Sequence, residues 1–411
     1  MCILKENPMP KRAMIMNSMR QLCSILLAPI AAIAVLAAVM SHGTAVQAQV
    51  AIPQPPPVDA ESYILLDFHS QQIIAEKDAH MPVEPASITK LMTSYVAFNE
   101  LERGNMALDD EVLISERAWR TGGSRMFVQV NTRVDVESLL KGIIIQSGND
   151  ASVAIAEYIA GTEEAFALLM NEYAKALGMK DTFYVNATGL PDPAQMTSAW
   201  DSALLARAII SEFPQFYDWY SQREYTYNEI RQYNRNRLLW RDPSVDGLKT
   251  GHTEAAGYCL VTSASRNDMR LISVVMGSSS EESRATSSQS LLNYGFRFYE
   301  TYSLYTTDDV VATQEVWEGT TDEVELVLDE GVFVTVPRGR FDDISNTLAL
   351  DGALVAPIEA GQVVGSLNVV LDDEVLAERA VLAQEPIEQA GFFGRTGDRL
   401  KLWWRGMFDD G

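Results

Sequence analysis

The sequence predicts an α+β protein: an antiparallel sheet flanked by helices, then a small all-β domain and a C-terminal amphipathic helix. Three observations predict it. Strand-like runs at Tyr258 to Ala264 and Met269 to Met276 are joined by Arg266-Asn267-Asp268, residues that favour a hairpin turn. Apolar residues recur at helical spacing after Pro85, through Ile88, Leu91, Met92, Tyr95 and Val96 to Leu101. Beyond Leu304 the texture changes to short strand-like runs bounded by Asp-Glu-Gly and Asp-Asp-Glu turns.

The first 48 residues read as an export signal. Lys11, Arg12 and Arg20 precede an apolar run from Leu22 to Met40, and Val46-Gln47-Ala48 offers small residues for cleavage after Ala48. The run is also long enough for an uncleaved anchor. Residues 49–59, with their Pro53 to Pro57 stretch, read as a linker. Of three cysteines, two precede the cleavage point, so Cys259 stands alone in the mature chain and no internal disulfide is expected. Its neighbours Tyr258 and Leu260 place it on a buried strand. At 411 residues and 47% hydrophobic content the chain suits more than one globular domain, and a net charge of −24 excludes a nucleic-acid backbone as the expected partner.

Folding is expected from Ala60. Tyr63 to Asp67 and Gln72 to Glu76 form a first hairpin, followed by the helix after Pro85. Val136 to Ile159 is helical in pattern, broken by a turn at Ser147-Gly148-Asn149. Leu204, Leu205, Ala208 and Ile209 mark a helix closed by Pro214, and Leu291, Leu292, Phe296 and Tyr299 one that runs to about Tyr302. Residues 60–304 thus read as one domain and 305–386 as the β-domain, with strands at Val324 to Leu328, Val332 to Val336 and Leu367 to Leu371. In the last segment, 387–411, Phe393, Leu400, Trp403, Trp404, Met407 and Phe408 share one helical face opposite Arg395, Asp398, Arg405 and Asp409. Adjacent tryptophans beside Lys401 and Arg405 suit a membrane surface, although a helix docked on its own domain has the same pattern.

Three short elements carry chemistry. In Ser87-Ile88-Thr89-Lys90 the serine and lysine stand three residues apart, hence one helical turn apart on one face. A free serine is a poor nucleophile, so Lys90 must lose its proton part of the time, through burial or a neighbouring cation; Lys249 is the expected cation. In Ser147-Gly148-Asn149 a turn presents a hydroxyl for proton relay and an amide for a substrate peptide group. Lys249-Thr250-Gly251, expected just before the strand near Tyr258, joins a cation and hydroxyl able to hold a carboxylate with a glycine that admits a ligand backbone. Each element alone also occurs as ordinary surface or turn sequence. No cofactor or metal is expected, because no histidine or cysteine cluster has ligand spacing.

In this order the elements resemble those of the penicillin-recognising serine enzymes, and most closely the low-molecular-mass penicillin-binding proteins that act as D-alanyl-D-alanine carboxypeptidases. The stretches that carry the resemblance are Pro85 to Lys90, Gln146 to Asp150 and Val245 to Thr253. It implies a transpeptidase-like catalytic domain and a membrane-bound enzyme at the outer, periplasmic face of the cytoplasmic membrane. Its partners would be peptidoglycan stem peptides ending in D-Ala-D-Ala, and β-lactam antibiotics. Ser87 is then the nucleophile, Lys90 its base, Ser147 the relay, and Asn149, Lys249, Thr250 and Gly251 substrate-binding residues. The backbone amides of Ser87 and His252 would form an oxyanion hole, His252 would line the site, and Arg284 would bind a carboxylate. The Gly123 to Phe127 segment resembles a mobile loop of the family, with Asn131 where glycine is frequent.

Two other readings stand beside this one. A β-lactamase would carry Asp in place of Gly148 and a deacylating Glu; Glu212 and Glu224 fall in the interval where one would lie. An idle wall-binding protein would keep the fold without turnover. Release of D-alanine with a long-lived penicillin adduct separates the carboxypeptidase from both.

Overall fold

The computed structural model describes residues 52–391. The export signal and nearly all of the expected C-terminal helix lie outside the described residues. A five-stranded antiparallel sheet runs in the order Ile73–Lys77, Ser62–Asp67, Met269–Ser278, Gly257–Arg266, Val245–Thr253. Its inner strands are buried at consecutive positions, so both faces are covered. Helix Glu281–Phe298 lies on the sheet at Gly295, where a Cβ would stand 2.5 Å from Leu271. The expected hairpin turn is present, with Asn267 and Asp268 both in the left-handed region that suits a two-residue connection.

Helix Thr89–Glu102 is the centre of the helical part. Every residue from Thr89 to Phe98 is buried, the polar Thr89, Lys90, Thr93 and Ser94 included. Around it stand helices Val136–Gln146, Asn149–Ala160, Glu163–Ala176 and Ala199–Glu212. Several begin on a capping side chain: Asp135, Thr162, Ser198 and Ser280 each accept a backbone N–H three residues on.

A second core, around Val324, Leu326, Val334, Val369 and Val381, belongs to the β-rich part. Its main sheet has six strands, with Glu323–Leu328, Val363–Leu371 and Glu374–Ala383 among them. Three boundaries differ from expectation. The last helix stops at Phe298, because Tyr299–Tyr305 pairs as a strand with Val332–Pro337. Asp59, expected in the linker, accepts hydroxyl bonds from Ser279 and Ser283 near the start of that helix. The stretch expected to begin the C-terminal helix is extended at first: Ile387 bridges Ile358, and Ala390 N–H donates to Glu318.

The two cores meet at a buried carboxylate. Asp67, fully buried, accepts the N–H groups of His69 (2.9 Å) and Ser70 (2.8 Å) and the hydroxyl of Thr301 (2.5 Å). Ser70 and Thr301 both bond Thr335, and His69 stacks on Phe333 at 4.9 Å. Removing the acceptor strands several donors at once. Asp67→Ala is expected to lower the unfolding free energy by about 2 to 3 kcal/mol, read from urea denaturation; an unchanged midpoint would remove this junction from the stability argument.

Candidate active site

Ser87 lies in a 3₁₀ turn, Ala86–Ile88, that feeds directly into the buried helix. The helix sets Lys90 one turn on, where its Nζ donates to Ser87 Oγ at 3.1 Å. Lys90 also donates to the carbonyl of Thr188. That carbonyl comes from a segment pressed against the serine turn. At Gly189, with φ of +78°, a Cβ would sit 1.8 Å from the Ala86 oxygen, so only glycine permits the approach. Asn186 folds the segment by accepting from Thr188 and Gly189, and Glu163 accepts the Ala187 N–H at 3.0 Å.

The second element is a bend between two helices, as expected. Ser147 caps the first helix in a left-handed conformation, φ +70°, and Asn149 opens the next. Asn149 donates its backbone N–H to Ser124 and its side-chain amide to Gly122, both at 2.7 Å. Its Oδ1 is buried and has no partner among the described residues. A buried acceptor of this kind suits an incoming N–H.

The third element, expected just before a strand, lies within one. Lys249, Thr250 and Gly251 lie inside Val245–Thr253, the open edge of the sheet. Lys249 Nζ donates to Ser147 Oγ at 2.9 Å and to the Thr250 carbonyl at 3.1 Å. Gly251 lies against the serine turn, its missing Cβ 3.1 Å from the Pro85 oxygen. His252 is exposed and stacks on Tyr258 at 4.0 Å. Arg284, expected to meet a carboxylate, is buried and donates to the Gly251 carbonyl at 3.0 Å, with its guanidinium over Tyr258. It thereby braces the edge strand.

Burial is the main force on both lysines. It lowers the Lys90 pKa to about 7, helped by the charge of Arg235 and opposed by Asp150 and Glu163. Lys249 is held well below an ordinary lysine by burial, then by Lys90, Arg235 and Arg284. Arg235 is thus a cation acting on Lys90 that the sequence did not single out, beside the expected Lys249, whose charge and that of Lys90 disfavour each other. Arg235 is exposed between two buried asparagines, Asn234 and Asn236, the latter bonded to the Gly247 carbonyl at 2.8 Å. Neither glutamate of the lactamase reading reaches the serine. Glu212 accepts from Tyr95 at 2.7 Å, and Glu224 pairs with Arg231. Asn131 keeps its loop by adopting the left-handed conformation, φ +62°, that asparagine tolerates.

A serine bonded to a lysine of lowered basicity, with a second Ser–Lys pair and an open strand edge beside it, defines the class of active-serine acyl-transfer enzymes. Residues 49–280 match the D-alanyl-D-alanine carboxypeptidase family, and residues 299–389 match the penicillin-binding protein 5 C-terminal domain. The chain is 42% identical over 376 residues to D-alanyl-D-alanine carboxypeptidase DacA of Escherichia coli K12, covering 90% of this chain and 93% of that one. It is 43% identical over 355 residues to DacC of the same strain, covering 84% and 89%. Among solved structures, penicillin binding protein 5 from Haemophilus influenzae superposes with a TM-score of 0.79 at 38% identity, over 82% of this chain and all of that one. The chain belongs to the D-alanyl-D-alanine carboxypeptidase family. It is a serine-type enzyme of that activity, with a transpeptidase-like domain followed by an all-β domain.

A lysine can take a proton from a bonded serine only while it is itself neutral. Acylation by benzylpenicillin should therefore rise with pH through about 7. Arg235→Ala removes a charge that disfavours protonation of Lys90, so the rise should move to higher pH; a profile that stays put would exclude Arg235 from tuning the base.

Proposed function

We propose that Ser87 carries the acyl-enzyme through which this chain removes the terminal D-alanine from peptidoglycan stem peptides. The substrate extends along the edge strand, its penultimate amide met by Asn149 Oδ1 and its terminal carboxylate by Lys249 and Thr250, with Gly251 allowing close approach. Arrival of the carboxylate favours protonation of Lys249. Ser87 Oγ attacks the penultimate D-Ala carbonyl carbon and its proton passes to Lys90. The resulting oxyanion lies at the backbone amides of Ser87 and His252, where each donor is worth about 3 to 4 kcal/mol. Ser147 relays a proton to the leaving D-alanine nitrogen as the C–N bond breaks. The proton that Ser147 relays is the one Lys90 took from Ser87, so Lys90 is neutral again. Water then attacks the Ser87 ester, giving its proton to Lys90, which returns it to Ser87 Oγ as the ester C–O bond breaks and the shortened peptide is freed. His252 lines the mouth of the cleft, and Arg284 holds the strand to which the carboxylate binds.

The observation that carries this reading is the 3.1 Å bond from Lys90 to Ser87, made by a lysine whose pKa is about 7. A β-lactam presents a strained amide to the same serine. The test is mass spectrometry of the penicillin-treated protein with peptide mapping, alongside release of D-alanine from a D-Ala-D-Ala peptide. The expected adduct is on Ser87 and absent in Ser87→Ala, and Lys90→Ala should acylate at least 100-fold more slowly. An adduct at another residue would refute the assignment.

The enzyme works, in this reading, outside the cytoplasm and on a membrane surface. The support is the N-terminal Lys/Arg-flanked apolar run and the Trp403-Trp404 face of the C-terminal segment. Among the described residues no helix is long and apolar enough to cross a membrane. Deleting Gly391 to Gly411 should move the protein from the membrane pellet to the soluble fraction; a truncated protein that still sediments would argue against this anchor.

A further inference from the structure

A carboxylate without a part in those steps anchors the second element from behind. Asp150 is 1% exposed, on the first turn of helix Asn149–Ala160. Its Oδ1 accepts the N–H groups of Met126 and Ala151, each at 2.9 Å. Its Oδ2 accepts those of Phe127 (2.8 Å) and Val128 (3.2 Å). Three of these four donors come from one remote loop. The same loop supplies the Gly122 and Ser124 carbonyls that receive the Asn149 side-chain and backbone N–H groups. Gly148 leaves room for the arrangement: a Cβ there would lie 3.0 Å from Asp150 Oδ1 and 3.2 Å from the Met126 nitrogen.

We propose that Asp150 is a positioning residue that latches the 122–128 loop onto Ser147-Gly148-Asn149, so that the Asn149 amide stays turned with its nitrogen on Gly122 and its oxygen left for substrate. This rests on the assignment of Asn149 to the substrate amide. A carboxylate suits the task because it only accepts, and all four groups facing it are donors. An asparagine of the same shape would set an NH₂ against one pair of them. The glycine at the centre of the element then has a cause: a larger residue there would crowd the latch.

Asp150→Asn is expected to lower kcat/KM for a D-Ala-D-Ala peptide at least tenfold. The amides of Met126, Phe127 and Val128 should exchange with solvent at least tenfold faster, while those of Cys259 to Ala264 keep their protection. A purely structural role would leave the pH profile alone. The charges acting on Lys90 are Asp150 and Glu163 against Arg235, with Lys249 alongside. Loss of the Asp150 charge therefore makes Lys90 easier to deprotonate, and the rise of acylation should move to lower pH, opposite to Arg235→Ala. Gly148→Ala keeps the charge but crowds the latch, so it should slow turnover with the rise unmoved. Unimpaired turnover, or unchanged exchange at 126–128, in folded Asp150→Asn would overturn the proposal. If that variant does not fold, the same two results in Gly148→Ala overturn it. Mapping the penicillin adduct in both variants keeps the readings apart. An adduct away from Ser87 sinks the catalytic assignment, whereas an adduct on Ser87 with unimpaired turnover sinks only the latch.

Discussion

Two lysine side chains buried in one cleft are the constraint around which the catalytic domain is arranged. Lys90 and Lys249 are 1% and 3% exposed, and each would carry a charge in water. Burying a lone ammonium is costly, and burying two side by side more so. The usual remedy, a carboxylate in contact, would keep Lys90 protonated. Among the described residues neither lysine has an ion pair; their donors go to hydroxyls and carbonyls, Ser87 and Thr188 for one, Ser147 and Thr250 for the other. The carboxylates that do act on Lys90 are engaged elsewhere, Asp150 by backbone N–H groups and Glu163 by Ala187 and Arg117. They moderate the lysine without trapping its proton.

That balance requires distant segments to meet closely. The serine turn is gripped from two sides by backbone that lacks a side chain, Gly189 and Gly251. The helix behind it is buried all round, so packing rather than solvent fixes the Ser87–Lys90 pair. Arg284 secures the edge strand from the far side through the Gly251 carbonyl. Each contact ties an element of local sequence to one more than 30 positions away, as in the 33 residues between Gly251 and Arg284.

Much of the fold was legible because its elements announce themselves locally. The first hairpin, the helix after Pro85, the bend at Ser147 and the Asn267-Asp268 turn follow from periodicity and turn chemistry. The edge strand was not, since Asp246, Gly247 and Gly251 are poor strand formers; it is a strand because the neighbouring Gly257–Arg266 pairs with it along its length. The last helix overran for a similar reason: Tyr299 continues the helical period, but pairing with Val332–Pro337 wins. In the site, helical spacing was enough to put Lys90 beside Ser87, and the structure brings Lys249 to Ser147. Thr188 contributes only a carbonyl, which any residue has, and Arg235 acts through space from an unremarkable Asn-Arg-Asn-Arg run. Neither leaves a pattern in the sequence.

The open edge strand is also a hazard. An unpaired row of N–H and C=O groups invites any extended chain, including the edge of a second sheet. Here one face of the strand is covered at Gly251 by the serine turn at Pro85 and Ala86. A net charge of −24 keeps whole copies of the protein apart. An edge left open in this way is one where association by strand pairing has to be limited by charge rather than by a covering strand.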